Sequence, residues 1–244
     1  MAYVETGHAK NVANFQDLML AVQTFGARYN PVSAAIQHTQ LNDFSTKLQN
    51  AMQEVNDKNG VYRDKIYARQ NAYAQMSGLA MRVVNTIAGL GLDAKLLAQA
   101  KAVLAKIRGG SSKKKKESGD DETEATKTIS VSQMSFDQRK NNFSVLVGLV
   151  NAVADYRPNE EDMQVVSLQK YIENLQTLNT EASKADYELT TARRERDSLL
   201  YTEGTGALSL AKQVKAYVKG AFGSKSNEHE LVKGISFSAI KRDM

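Results

Sequence analysis

The sequence contains no cysteine, no tryptophan and only two prolines in 244 residues. Without cysteine, a disulfide-stabilised scaffold, a zinc or iron–sulfur site with cysteine ligands and a thiol nucleophile are all excluded. Two prolines exclude a collagen-like or proline-rich chain. No apolar run approaches the roughly 18 residues that a membrane-spanning helix needs. Residues 1–5 lack the basic start and apolar core of a secretory signal, so we expect a cytoplasmic globular protein.

The excess of positive charge is modest, with a formal net charge of +5. The only dense basic run is Lys113–Lys116, which stands among glycines, serines and acidic residues. This composition is typical of a solvated loop, and it predicts a charged flexible linker over residues 111–128. A phosphate-binding patch in this loop, and with it weak binding of nucleic acid, is the less favoured alternative.

An internal duplication organises the chain, because blocks of residues recur in the same order. The sequence thus predicts a first helical repeat over 1–110, the linker, a second helical repeat over 129–223 and a C-terminal tail over 224–244. We expect one compact bundle overall. The recurring pairs are Asn14-Phe15 and Asn142-Phe143, Tyr29-Asn30-Pro31 and Tyr156-Arg157-Pro158, Leu41 and Leu168, Ala100-Lys101 and Ala211-Lys212, and Ile129-Ser130 and Ile235-Ser236.

Apolar residues spaced three and four positions apart predict helices within both repeats. The first helix of each repeat is expected over 11–29 and 137–155, where a proline stops it. The second helix begins near Leu41 or Leu168. In the second repeat, five heptads without glycine or proline predict a coiled-coil-like helix of about 33 residues. The third helices are expected over 79–108, with a break at Gly89–Gly91, and over 206–221.

Such amphipathic helices must bury their apolar stripes against one another, because single helices of this kind are unstable. The sequence therefore predicts an all-α protein, an antiparallel helical bundle built from two duplicated long-helix hairpin repeats. Apolar and polar residues alternate near 129–134 and 235–240, which predicts short extended segments there. If the two repeats pair about a pseudo-two-fold axis, these two segments should lie next to each other.

The three histidines are the first candidates for a metal site. Glu5 and His8 have the Glu-x-x-His spacing of a di-iron helical bundle, but a second such motif is missing, and His8 is expected at a frayed terminus. His38 stands beside a proline turn and His229 stands between two glutamates, so we expect both in exposed loops. We predict no metal-binding residue.

The catalytic motifs that the sequence suggests are incomplete. Residues 223–226 resemble the end of a phosphate loop, but the required glycine spacing and preceding strand are missing. The acidic run 160–162 fits the first turn of a helix, where carboxylates interact favourably with the helix dipole. No serine stands in a Gly-x-Ser-x-Gly elbow, and no nucleophile has a base beside it. We predict no catalytic residue, no cofactor and no enzymatic activity.

Arg69 and Arg196 occupy equivalent positions in the two repeats, in line with the apolar seam. A charge that faces a core must be paired or must reach solvent. One interpretation is a long side chain that reaches water at the end of the bundle. The other is a buried ion pair that fixes the helix register, with an acid supplied by Glu195, Asp197 or Glu203.

Six stretches of the chain form a pattern that can be compared with known families. They are Gly7–Phe15, Ile129–Asp137, Tyr156–Glu160, Ala192-Arg193, Leu200-Tyr201 and Val214–Lys219. Through them, nearly the whole chain resembles a Bacteroidota family of internally duplicated helical proteins with no established activity. The resemblance implies the duplication and a bacterial origin, and it implies no mechanism. Family members typically carry a Ser-Pro-Gln-Tyr type segment after the last helix, where this chain has Ser226-Asn227-Glu228-His229.

The function expected from these features is non-catalytic binding or assembly through protein–protein contacts, including contacts between copies of the chain. A membrane-active helical bundle is an alternative. Its best segment is 79–92, which Arg82 and Asn85 interrupt and which is too short to span a bilayer. Binding of nucleic acid through Lys113–Lys116 is a further alternative, and the sequence identifies no small-molecule ligand.

Overall fold

The computed structural model describes residues 2–109 and 134–239. The linker with Lys113–Lys116, the predicted extended segment up to residue 133 and the last five residues lie outside this part of the chain. What the sequence predicts for them therefore stays a prediction.

The described residues form seven α-helices and no strand, so the predicted all-α fold is confirmed. Two helices are much longer than the others: α2 has 52 residues and α5 has 37. The helices are α1 Ala2–Thr24, α2 His38–Gly89, α3 Ala94–Arg108, α4 Phe136–Asn151, α5 Val165–Tyr201, α6 Ala207–Phe222 and α7 Asn227–Lys233.

Local sequence signals explain several helix ends. The side-chain oxygens of Asp93, Ser135 and Ser226 accept hydrogen bonds from backbone N–H groups in the first turns of α3, α4 and α7. These bonds satisfy donors that the start of a helix leaves without a partner. At the other end, α3 and α6 stop at Gly109 and Gly223, whose φ angles of 72° and 97° favour glycine.

Several of the predicted helix bounds are wrong: α1 begins at Ala2 and not at residue 11, and α4 ends at Asn151 and not at residue 155. Residues 79–89 belong to the end of α2 and not to the third helix, and residues 90–93, with Gly91 among them, form the turn into α3. The first helix ends at Thr24 and not at residue 29, because Gly26 takes a φ of 57° that a right-handed helix does not allow. The tail contains the helix α7, which the sequence pattern did not predict.

The turns between α1 and α2 and between α4 and α5 are built alike, and each contains one of the two prolines. A short 3-10 turn precedes the long helix in both. A buried tyrosine closes each turn by donating its hydroxyl hydrogen to a backbone carbonyl seven residues later. The two hydrogen bonds are Tyr29 to Ile36, at 2.8 Å, and Tyr156 to Met163, at 3.0 Å.

The chain divides into two compact units. The first unit combines residues up to 62 with residues from 186 onward, and so holds α1, the beginning of α2, the end of α5, α6 and α7. The second unit is residues 63–185, with the rest of α2, α3, α4 and the beginning of α5. The predicted repeats follow one another along the chain, whereas each compact unit takes its helices from both repeats.

Each unit has its own hydrophobic core, lined by the apolar stripes that the residue spacing predicts. The core of the first unit includes Phe15, Leu18, Leu41, Leu48, Leu200 and Val214. The core of the second unit includes Met76, Ile87, Ile107, Phe143, Leu146 and Leu168.

The helices α2 and α5 pack against each other within each unit: in the second unit the Lys65 Nζ atom lies 3.0 Å from a carboxylate oxygen of Glu181, and the Tyr171 hydroxyl donates to the carbonyl of Ala72. In the first unit Val55 packs with Leu189 and Ala192, and the Lys58 Nζ atom lies 2.9 Å from a carboxylate oxygen of Glu188. Residue numbers rise along one helix as they fall along the other, so the two helices run antiparallel, as predicted.

Candidate functional site

Residues 235–239, which we call the tail segment, lie in a groove of the first unit between α1 and α6. The Asn11 Nδ2 atom donates to the carbonyl of Ser238 at 2.8 Å, and the Ser238 N–H donates to Asn11 Oδ1 at 3.1 Å. Further along α1, Asn14 Nδ2 donates to the carbonyl of Ser236 at 2.5 Å. These bonds use only backbone groups of the tail segment, so they do not depend on the serine side chains.

The side chains of the tail segment alternate in burial. Ile235 and Phe237 are half-buried against the core of the first unit, whereas Ser236 and Ser238 are exposed. Alternation of this kind is typical of an extended chain. Residues 235–239 have neither helical nor strand structure, so the extended segment predicted at 235–240 does not form part of a sheet within the described residues.

Lys215, on α6, holds the other side of the tail segment. Its ammonium group donates to the carbonyl of Ile235 and, at 3.5 Å, to the carbonyl of Lys233 at the end of α7. The same Nζ atom lies 5.7 Å from the centre of the Phe237 ring. Burial lowers the pKa of the Lys215 ammonium group. Lys215, like Asn11, therefore binds backbone groups of the tail segment, and it also contacts the Phe237 ring.

A cavity of about 250 Å³ opens beside the tail segment. Its walls combine apolar side chains with two lysines, a lining suited to an apolar group that ends in a polar or anionic atom. The lining residues are Leu208, Ala211, Lys212, Lys215, Phe237 and Ala239.

A buried polar cluster of His8, Asp197 and Tyr201 lies between α1 and the end of α5 and contacts the side chain of Asn11. His8 is 1% exposed, and its Nδ1 atom lies 2.8 Å from the Tyr201 hydroxyl. Asn11 Nδ2 donates to the same hydroxyl at 3.2 Å, and the Asp197 carboxylate lies 3.8 Å from His8 Nδ1. The frayed terminus predicted around His8 is therefore wrong, because contacts with a distant helix hold this histidine in place.

The two equivalent arginines have different surroundings. Arg196 is fully buried, and its Nε and Nη2 atoms donate to Asp197 Oδ1 at 3.0 and 2.8 Å. Arg69 is half-buried, and its guanidinium carbon lies 4.2 Å from the centre of the Phe136 ring. The buried ion pair is thus found at Arg196 with Asp197 as its acid, and a cation–π contact takes its place at Arg69.

The sequence predicted that the other two histidines lie in exposed loops, and this prediction is wrong. His38 is the first residue of α2, half-buried, with its ring centre 4.9 Å from that of Tyr29. His229 lies in α7, and its Nδ1 atom is 3.0 Å from the carbonyl oxygen of Ser224. Both rings thus contact neighbouring groups of the first unit.

The motifs that resemble catalytic sequences serve as helix caps and ion pairs. Ser226 accepts a hydrogen bond from the N–H of His229 and so begins α7. Asp162 accepts hydrogen bonds from Arg82, and these hold the pKa of the Asp162 carboxyl below its usual range. In residues 2–109 and 134–239, no three or more His, Cys, Asp or Glu side chains come together in a way that could hold a metal ion.

The segment 79–92, the best membrane candidate of the sequence, is the end of α2 and the turn after it. Its apolar side chains Ala80, Val83, Val84 and Ile87 are buried in the core of the second unit. Over the described ranges, no helix has an apolar stretch of the length that crossing a bilayer demands.

No sequence pattern identifies Asn11 and Asn14 as the residues that bind the tail segment. Each stands among the apolar positions of α1, where a polar residue without a partner would be costly. The alternating segment at 235–240 offered a partner, but no local pattern connects it with α1, more than 220 residues away in sequence. Comparisons with protein-family models, curated proteins and solved structures gave no match.

Proposed function

We propose that this chain is a non-catalytic binding protein that acts through protein–protein contacts, and that the groove between α1 and α6 receives an extended polypeptide segment. The observation that carries this proposal is the two-way hydrogen bonding between Asn11 and the backbone of Ser238. A side-chain amide that pairs with both a backbone N–H and a backbone C=O accepts many sequences, provided that the segment is extended. Phe237 and the cavity beside it supply selectivity.

The polar residues around the groove support binding more than catalysis. His8 and Asn11 both contact the Tyr201 hydroxyl, and Arg196 donates to Asp197. The bond to the Tyr201 hydroxyl orients the Asn11 amide and leaves its second donor position to the tail segment. A site for acid–base chemistry instead needs a base that points at a substrate.

A partner segment has to compete with the tail segment, whose covalent link gives it an effective concentration of about a millimolar. To replace the tail segment in the groove, a partner segment needs stronger side-chain contacts. Alternatively, a second copy of the chain can supply its own tail segment, which offers the same contacts. Exchange of tail segments between copies is a route to a homo-oligomer that needs no new interface.

Binding of a labelled peptide to a full-length variant with a vacated groove tests the proposal. Ser238→Pro removes the N–H that donates to Asn11, so it should release the tail segment. A fluorescent peptide of residues 234–244 should then bind with saturable anisotropy. Adding Asn11→Ala to Ser238→Pro should weaken binding by about tenfold or more, as expected for the loss of two hydrogen bonds.

Gln23→Ala is the matched control, because Gln23 carries an exposed amide on the same helix. In the Ser238→Pro background it should leave peptide affinity unchanged. Equal affinity of the Asn11→Ala and Gln23→Ala variants, with both folded by circular dichroism, would contradict recognition by Asn11.

A further inference from the structure

The helix α6, which forms one side of the groove, carries positive charge that no acid of its own balances. Its sequence contains Lys212, Lys215 and Lys219 but neither aspartate nor glutamate. In the part of the chain that the structure describes, none of these lysines forms an ion pair, and the two glutamates of α7 already pair with other cations. This face of the groove is therefore complementary to negative charge.

Lys215 is the least hydrated of these lysines. It is half-buried, whereas Lys212 and Lys219 are exposed. Its acceptors are the carbonyls of Ile235 and Lys233, which carry no charge, and burial lowers the pKa of its ammonium group. Since an ammonium group has three hydrogens to donate, a third acceptor can join these two. A carboxylate is the acceptor that best offsets a partly buried positive charge.

The cavity of about 250 Å³ adjoins position 239 of the tail segment. Ala239, Lys212 and Lys215 all line it. Side chains two positions apart in an extended chain lie on the same face, so position 239 shares the face of Ile235 and Phe237. The cavity has room for about eight water molecules, at about 30 Å³ each, which is more than one glutamate side chain needs.

We propose that the partner segment carries an aromatic residue and, two positions later, a glutamate whose carboxylate pairs with Lys212 and Lys215. This inference rests on the proposed function. The aromatic residue takes the place of Phe237, and the glutamate takes the place of Ala239. The tail segment has no acid at 235–239, so a partner with this pair of residues gains a contact that the tail segment lacks. Such a contact helps the partner to compete with a covalently linked segment.

Peptides that differ only at position 239 test the inference in the full-length Ser238→Pro protein. The peptide of residues 234–244 with Ala239→Glu should bind about fivefold more tightly than the same peptide with Ala239→Gln, which has the same length but no charge. Fluorescence anisotropy measures both affinities. The gain should shrink as salt is added, because salt screens an ion pair that includes an exposed lysine.

Lysine variants of the same protein show whether α6 recognises the acid. Lys212→Met should remove most of the gain and leave binding of the Ala239→Gln peptide unchanged, because Lys212 makes no hydrogen bond with the described tail segment. Lys215→Met should also remove the gain, but it should weaken both peptides, because Lys215 donates to the carbonyl of Ile235. Lys219→Met is the matched control. Lys219 is exposed on the same helix and does not line the cavity, so the gain should persist.

The full chain offers a second measurement that needs no separate peptide. The Ser238 N–H donates to Asn11, so its hydrogen exchange reports release of the tail segment. Exchange at Ser238 should be about fivefold slower in the Ala239→Glu chain than in the Ala239→Gln chain. Lys212→Met should abolish this difference.

The possible results separate the inference from the proposed function. Equal affinity of the two peptides would overturn the inference while the proposed function stands, because both peptides bind. A gain that persists in the Lys212→Met and Lys215→Met proteins would overturn the inference as well, because another group would then recognise the acid. Slower exchange that depends on Lys212, without binding of either peptide, would support the pairing and contradict the proposed function alone. Absence of both binding and slower exchange would overturn both.

Discussion

The hydroxyl of Tyr156 donates a hydrogen bond to the carbonyl of Met163 at 3.0 Å, across the turn that leads into α5. The hydroxyl of Tyr29 makes the equivalent bond to Ile36 at 2.8 Å, before α2. Both tyrosines are nearly fully buried, so each hydroxyl satisfies a carbonyl that water does not reach. Because the two turns are closed in the same way, the two tyrosines are natural targets for mutation.

Replacing Tyr156 with phenylalanine should lower the free energy of unfolding by about 1–3 kcal/mol, because the Met163 carbonyl stays buried without its donor. Urea unfolding followed by circular dichroism measures the loss. Tyr187→Phe is the control: Tyr187 is 73% exposed, and its change should stay within about 0.5 kcal/mol. Equal losses from the two substitutions would show that the hydrogen bond does not stabilise the turn.

Stability should fall as the pH rises from 10 to 12. Burial, with a smaller contribution from Glu160, raises the pKa of Tyr156 from 10.0 to about 12. Between these values the unfolded chain releases a proton that the folded chain keeps, so the free energy of unfolding decreases. Burial raises the pKa of Tyr171 to about 12 as well. Urea unfolding across this range should show a shallower decline in Tyr156→Phe, and an unchanged decline would speak against the raised pKa.

Arg196→Met should destabilise the protein far more than Arg69→Met, although the two positions are equivalent in sequence. Removing Arg196 takes away a buried partner of Asp197, which should cost about 3 kcal/mol. Removing Arg69 takes away a cation–π contact with Phe136, which should cost about 1 kcal/mol. Chemical denaturation of both variants measures the difference. Similar losses, or an unaffected Arg196→Met protein, would show that the buried ion pair does not stabilise the fold.

Arg82→Gln should raise the pKa of Asp162 toward its ordinary value. The hydrogen bond from Arg82 is the main cause of the lowered pKa, and glutamine carries no charge to replace it. Carbon-detected NMR titration of the Asp162 carboxyl measures the shift directly. A low pKa that persists in the variant would mean that the backbone, and not Arg82, sets it.

Spacing of apolar residues was sufficient to predict most of the helices, because residues such as Phe15 and Leu168 face the cores directly. It did not predict the full extent of α2. Gly60 weakens the pattern, but one glycine costs only about 1 kcal/mol in a helix, too little to interrupt 52 residues. Helix caps such as Ser226 depend on neighbouring residues only, so they can be predicted from the sequence.

The groove could not be predicted in the same way. His8 and Asn11 meet Tyr201 and the tail segment across 190 or more residues of sequence, and no local pattern reveals such contacts. The two units do not follow the predicted repeats, since each unit joins the start of one long helix to the end of the other. Only the folded chain brings these distant parts together.

Calorimetric titration with N-methylated peptides tests most directly the proposed recognition of the segment's backbone by Asn11. The peptide of residues 234–244, titrated into the Ser238→Pro protein, should lose about tenfold in affinity when the Ser238 nitrogen is methylated, because Asn11 Oδ1 loses its donor. Methylation at Phe237, whose N–H makes no hydrogen bond with the described residues, should change affinity little. Equal losses from the two methylated peptides, or no binding of the unmodified one, would contradict the account.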